Sequence, residues 1–262
     1  MSFKLFISSL TKTLRLAPVA AELLIQPGPL SLLRCAFTHP NADADKNYEM
    51  YEQLGDVTIT KFMVNYFYQR FPELQNQHGV KVVARLRIKY GSRQVLSRCA
   101  ERMNFWEQIR ISADITSSER RAAVMEDVFE AFIGAVEIIV DEHFGSVGTG
   151  YAVAYYLLKR IYDEIPIALI YENLFDAKTR LKELGDSYKG NLGEILYKSE
   201  RRGMLTNIVI TRNGAAIAQA ARAIKADAEQ AAAEQALQVL KALGFERTLP
   251  KEYQMLASCK NK

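Results

Sequence analysis

The longest regular pattern in the chain runs from Asn47 to Phe71 without a proline. Leu54, Val57, Ile59, Phe62 and Met63 give it the apolar positions of one helix. Glu49, Glu52 and Asp56 fall three and four residues apart, so their carboxylates share a face. A second run, Ser117 to Asp141, carries Val124, Val128, Phe129, Phe132, Ile133 and Val136, the content of a largely buried helix. Ser117 or Ser118 can cap its start. Asp127 and Glu130 lie three apart within it, again on one face. Around these two runs the pattern predicts a helix before a turn at Pro27-Gly28-Pro29, a short helix over Leu30–Phe37 and a polar loop over Asn41–Asn47. It predicts a helix over Val80–Ala100, a short helix and loop over Met103–Ile115 with Trp106 in the core, and a last amphipathic helix over Tyr151–Glu164. No strand pattern appears before residue 164.

The pattern then changes. Asp176 can cap a helix whose Leu181 and Leu184 face inward. Gly190–Leu196, Asn207–Arg212 and Ala215–Ile224 read as three strands, with Asn213-Gly214 as a hairpin turn. Asp227–Leu243 is an alanine-rich helix, and residues after Phe245 read as a loose tail.

With 262 residues, one large or two modest domains are expected, and a hydrophobic content of 49% is ample for a core. No stretch is apolar for long enough to span a membrane. The net charge of +4 permits a nucleic-acid partner. Cys35, Cys99 and Cys259 show neither zinc spacing nor a disulfide framework, which points to a reducing compartment, intracellular and either cytoplasmic or nuclear. Residues 1–21 carry Lys4, Lys12 and Arg15 and no acid. They fit an amphipathic first helix or a mitochondrial targeting peptide, and both readings stay open.

The acids carry the chemistry. Like charges three and four apart cost a helix a few tenths of a kcal/mol per pair. Carboxylates in an apolar helix must be paired, protonated or bound to metal. Either cluster alone reads most simply as a solvated face. Two helices that each bring inward acids can build an all-oxygen site for a hard divalent ion such as Mg²⁺. Lys81, Arg85 and Lys89 repeat every four residues opposite Val82, Val83, Leu86 and Ile88, a stripe that suits either solvent or phosphates.

Tyr48-Glu49-Met50-Tyr51-Glu52-Gln53-Leu54-Gly55-Asp56 resembles the ribonuclease III motif N-E-R-L-E-F-L-G-D. Glu126 to Ala135 resembles that family's second motif, D-x-F-E-A-x-x-G-A, and Ala36-Phe37-Thr38-His39 its entry segment. Lys225-Ala226-Asp227-Ala228-Glu229-Gln230 resembles the start of the last helix of a double-stranded-RNA-binding domain. The resemblance implies an all-α ribonuclease III endonuclease domain followed by a small α+β (α-β-β-β-α) double-stranded-RNA-binding domain. The expected division is an N-terminal extension at 1–29, the catalytic domain at 30–164, a linker at 165–174, the RNA-binding domain at 175–244 and a tail at 245–262.

The resemblance also implies a Mg²⁺ cofactor, with Mn²⁺ as a substitute, held by Glu52, Asp56, Asp127 and Glu130, with Glu49 in the outer shell. Water activated there would hydrolyse duplex RNA to 5′-phosphates and short 3′ overhangs, in RNA processing or degradation. Thr179, Lys182, Glu183, Arg201, Arg202 and Lys225 would meet the duplex by shape, aided by Lys81, Arg85 and Lys89. His39 takes a packing role.

Four departures qualify the match. His78 stands where the family has a glutamate before Gly79. Ala226 replaces the second lysine. Gly203-Met204-Leu205-Thr206 lacks the proline and histidine of the usual loop. Gln53 stands where a phenylalanine inserts into the partner of the family's homodimer, which leaves a weaker homodimer or a heterodimer as alternatives. Two other functions stay open: a catalytically inactive relative in the mitochondrial large ribosomal subunit, and a silencing suppressor that sequesters duplex RNA.

Overall fold

The computed structural model describes residues 1–112, 117–188 and 190–259. The chain divides into two compact units, Met1–Ile167 and Ala168–Lys262.

The first unit is helical. Helix α1 (Phe3–Thr13) is capped by Ser2 and buries Phe6, Ile7 and Leu10. Phe6 stands edge-on to Phe37 and Phe105, so the amphipathic reading of this segment describes its place in the core. After α2 (Pro18–Leu24), α3 spans Pro27–Ala36. The Pro-Gly-Pro turn expected before it is instead its first turn. Proline is tolerated at N1 because the missing N–H has no helical partner there.

Helix α4 spans Glu49–Arg70. The single basic helix expected over Val80–Ala100 is two, α5 (Gly79–Tyr90) and α6 (Arg93–Arg102). They part at Gly91-Ser92, where the Ser92 hydroxyl donates to the Lys89 carbonyl and diverts it from the helical ladder. Ile88, expected on the core side of α5, is 65% exposed. Trp106 is only half-buried, under the Arg121 guanidinium at 4.6 Å, and Phe105 takes the core position. Residues 113–116, which include the end of the loop expected there, lie outside the described residues.

Helix α7 (Ser118–Phe144) starts at Ser117, whose Oγ accepts from the Arg120 N–H, and stops at left-handed Gly145. The Asp141 carboxylate accepts from the Gly148 and Gly150 N–H groups and so caps α8 (Thr149–Asp163). Helix α7 packs against α2, α3, α4, α6 and α8. Val128, Phe129, Ile133 and Val136 on it are fully buried. Among the described residues of this unit the one β pairing is an isolated bridge, Thr38 to Arg110.

The second unit opens with α9 (Tyr171–Leu174) and α10 (Ala177–Ser187). Strands β1 (Ile195–Arg202), β2 (Leu205–Arg212) and β3 (Ala215–Arg222) form an antiparallel sheet in that order. Helix α11 (Lys225–Ala242) lays Ala232, Ala233 and Ala236 against buried Ile208 and Ile210. The expected order of helix, three strands and helix holds. The first strand, expected at Gly190–Leu196, starts only at Ile195, because Gly190 and Gly193 take positive φ and turn the chain first. It runs on to Arg202, and the loop expected over Gly203–Thr206 shrinks to Gly203-Met204. Leu205 and Thr206 pair with Arg202 and Arg201.

The expected loose tail contains α12 (Lys251–Cys259). Tyr253 is buried with its ring 5.4 Å from Tyr171 and 5.8 Å from Phe175, an aromatic anchor that composition alone did not reveal. No helix among the described residues is long and apolar enough to cross a membrane.

Candidate active site

Two glycines set the geometry of the acids. A Cβ on Gly55 of α4 would strike the Glu130 carbonyl of α7, and one on Gly134 of α7 would strike the Tyr51 carbonyl of α4. Only glycine on each side lets the two helices approach backbone to backbone. Helix geometry then places Glu52 and Asp56, three before and one after Gly55, beside Asp127 and Glu130.

The four acids differ in surroundings. Asp56 is exposed and Glu52 half-buried on α4, while Asp127 and Glu130 are half-buried on α7. Burial raises the Glu130 pKa to about 8, with Asp56, Glu126, Glu52 and Asp127 adding repulsion. Glu52 is raised by burial first and then by Asp127, Glu49, Glu126 and Asp56. Burial also raises Asp127, opposed by a hydrogen bond from Tyr48. Glu49 is exposed and near enough to act on Glu52. Glu126 is tied to Arg93 at the start of α6, at 2.5 Å.

Tyr48 ties the two helices together at Asp127. Its hydroxyl donates to Asp127 Oδ2 at 3.0 Å, and the residue is 4% exposed. The Tyr48 N–H donates to the Thr38 carbonyl at 3.0 Å, and the His39 ring stands edge-on to the phenol at 5.6 Å. The segment Thr38-His39 thus holds Tyr48, and Tyr48 holds Asp127. No sequence signal linked these residues, since the hydrogen bond spans 79 positions.

A cavity of about 250 Å³ opens beside the acids, lined by Asp56, Thr60, Arg87, Ile88 and Glu130 among others. The basic residue on it is Arg87. At 100° per residue Arg87 lies about 200° around α5 from Arg85, so the stripe of Lys81, Arg85 and Lys89 occupies the other flank. Arg87 was one basic residue among several in the sequence, and only the position of α4 shows that it lines this cavity.

The donor set is all oxygen, crowded and partly desolvated, which fits a hard divalent cation in chemistry. Among the described residues no three such side chains converge tightly enough to grip an ion as they stand. Asp127 is turned to Tyr48 and Glu126 to Arg93.

In the second unit the expected RNA-facing residues fall into two groups. Lys182 is exposed on α10, Lys225 is exposed at the start of α11, and Arg201 and Arg202 end β1. Glu229 joins the two helix starts, 2.6 Å from Lys178 and 3.8 Å from Lys225. Thr179 is already engaged: its N–H and hydroxyl donate to Asp176. Glu183 is engaged too, ion-paired with Arg247 and accepting from the Tyr171 hydroxyl.

Comparison with known proteins places these features. The Ribonuclease III domain model matches residues 49–138. A ribonuclease 3 relative from Frog virus 3 is 42% identical over 221 residues, covering 84% of this chain and 58% of its own length. One from Invertebrate iridescent virus 6 is 40% identical over 188 residues, covering 68% of this chain and 64% of its own. The chain thus spans less than two thirds of these two viral relatives. The ribonuclease 3 of Halalkalibacterium halodurans is 27% identical over 243 residues, 87% of this chain and 82% of its own. The helices covered by the family match are those that cross at Gly55 and Gly134, and the chain belongs to the ribonuclease III family.

Proposed function

We propose that this chain is a divalent-metal-dependent endoribonuclease that cuts double-stranded RNA. The observation that carries the reading is the crossing at Gly55 and Gly134, which brings together four carboxylates, a half-buried Glu130 among them. Glu52, Asp56, Asp127 and Glu130 would hold Mg²⁺ or Mn²⁺, with Glu49 close by. A bound ion there supplies an activated water and charge neutralisation at the phosphate. The protein's own part is to keep Asp127 and Glu130 partly desolvated and aimed, Asp127 through Tyr48 and Glu130 through its seat on α7. An inactive ribosomal or sequestering relative has no use for acids that repel one another at a helix crossing.

The second unit would hold the duplex by shape through Lys182, Lys225, Arg201 and Arg202. Thr179 and Glu183 contribute from α10 only if duplex RNA competes with Asp176 and Arg247. Lys81, Arg85 and Lys89 form a separate phosphate rail.

Met50, Leu54 and Val57 leave an exposed apolar stripe along α4, with exposed Gln53 inside it. This stripe supports a homodimer, with the polar Gln53 weakening it. The compartment proposed is intracellular.

The test is a long labelled RNA duplex incubated with Mg²⁺ or EDTA, beside Glu130→Gln. Cutting of duplex but not single strand, lost with EDTA and in the variant, is the expected result. Intact RNA in every lane with folded protein would sink the enzyme. In sedimentation velocity the wild type should run as a dimer and Val57→Asp as a monomer. Equal sedimentation of the two would remove the α4 stripe as the interface.

A further inference from the structure

The cavity beside the acids contains a charge that nothing in the fold accounts for. Arg87 lines it together with Asp56 and Glu130. Its Nε is buried without a hydrogen-bond partner, and no ion pair to Arg87 occurs among the described residues. A buried guanidinium nitrogen left unpaired costs free energy unless a partner arrives. The neighbouring arginine Arg93 is by contrast paired with Glu126.

The two carboxylates across the cavity make no ion pair with Arg87, so the cavity separates them. Its volume of about 250 Å³ exceeds the roughly 30 Å³ that one water occupies. A tetrahedral anion with several acceptor oxygens matches a planar guanidinium on one side. The carboxylates on the other side would meet that anion through a cation. Exposed Ile88 and exposed Asp56 leave the cavity open at its rim.

We propose that Arg87 is the phosphate-binding residue of the site, donating from its guanidinium to a non-bridging oxygen of the RNA phosphate brought to Asp56 and Glu130. This rests on the endoribonuclease reading and adds the residue that receives the substrate's charge. Because negative charge grows on those oxygens as the attacking water adds, the contact strengthens towards the transition state. Its loss therefore appears in kcat more than in KM. Lysine in its place supplies charge without the planar fork.

The experiment compares wild type, Arg87→Ala and Arg87→Lys on duplex RNA at saturating Mg²⁺, with melting temperatures measured alongside. Arg87→Ala should lose about 100-fold in kcat with KM within about threefold. Guanidinium chloride at tens of millimolar should restore about tenfold of that loss, while sodium chloride at equal ionic strength should not, because the emptied cavity admits the free ion. Arg87→Lys should fall between the two, and melting temperatures should agree within a few degrees. A kcat for Arg87→Ala within twofold of wild type overturns the assignment. So does a loss that guanidinium leaves unchanged, or a lowered melting temperature that explains it, since either makes the role structural. An inert wild type removes the endoribonuclease reading and this assignment together, whereas an active wild type with an equally active Arg87→Ala removes only the assignment.

Discussion

Helices α4 and α7 each bring two acids to one crossing, yet they do so from opposite surroundings. Helix α7 is packed by five neighbours, and its Glu130 is pushed up to about 8. Helix α4 leaves its Asp56 exposed. One residue type in one small site thus meets a dry wall and a wet wall. The dry wall fixes direction and raises the energy of an uncompensated charge. The wet wall leaves its acid open to solvent. Polarity along the chain separates the two walls only through the apolar residues between the acids, which are continuous on α7 and interrupted on α4.

The contrast can be broken hardest at the crossing itself. Gly134→Ala puts a methyl group into the Tyr51 carbonyl, and Gly55→Ala puts one into the Glu130 carbonyl. Each should cost about 3 kcal/mol by forcing the helices apart. That is a drop of roughly 6–12 °C in the melting temperature of the first unit. Melting temperatures within 2 °C of wild type would show that the helices do not meet there.

Removing charge from each wall should give a smaller and asymmetric result. Glu130 has a folded pKa of about 8 against an ordinary value of 4.5, so between these the folded chain holds a proton that the unfolded chain releases. The stability of the metal-free protein therefore falls as pH rises from about 4.5 to about 8, and is level in this respect on either side. Discounted for partial exposure, Glu130→Gln should stabilise the metal-free chain by about 2 kcal/mol at pH 8, with little gain at pH 4.5. Asp56→Asn on the wet wall should change stability by no more than about 0.5 kcal/mol. Urea titrations in EDTA at the two pH values separate the cases, and equal gains from both variants would erase the distinction between the walls.

The finest test concerns aim. Tyr48→Phe keeps the ring under His39 and removes the hydrogen bond to Asp127. It should raise the Mg²⁺ concentration for half-maximal cutting about tenfold, with the melting temperature within 2 °C. An unchanged Mg²⁺ requirement would mean that Asp127 is held by α7 alone.

Much of this architecture was legible beforehand. The proline-free run of α4, the buried run of α7, the Ser117 cap and the Asn213-Gly214 turn each follow from local chemistry that needs no partner. What was not legible depended on a partner far along the chain. The exposure of Leu54 and Val57, counted as core positions from their spacing, follows from which flank of α4 meets α7. That Arg87 lines the cavity beside the acids, while Lys81, Arg85 and Lys89 do not, follows from which flank of α5 faces α4. Gly91-Ser92 could have been read as a break, since both residues disfavour a helix interior, but the basic spacing continued across it. Helix α12 had no signal of its own strength, because its anchor is a ring on α9.

The anchor of α12 has a practical consequence for anyone dividing the chain. A fragment ending near Leu243, where the alanine-rich helix stops, would strip Tyr253 from Tyr171 and Phe175 and leave the Glu183 carboxylate without Arg247. Such a fragment would expose aromatic surface beside α10 and free an acid on the helix that carries Lys182. Its affinity for duplexes would then report on the cut as much as on the native surface, so an isolated second unit should begin at Ala168 and run through Cys259.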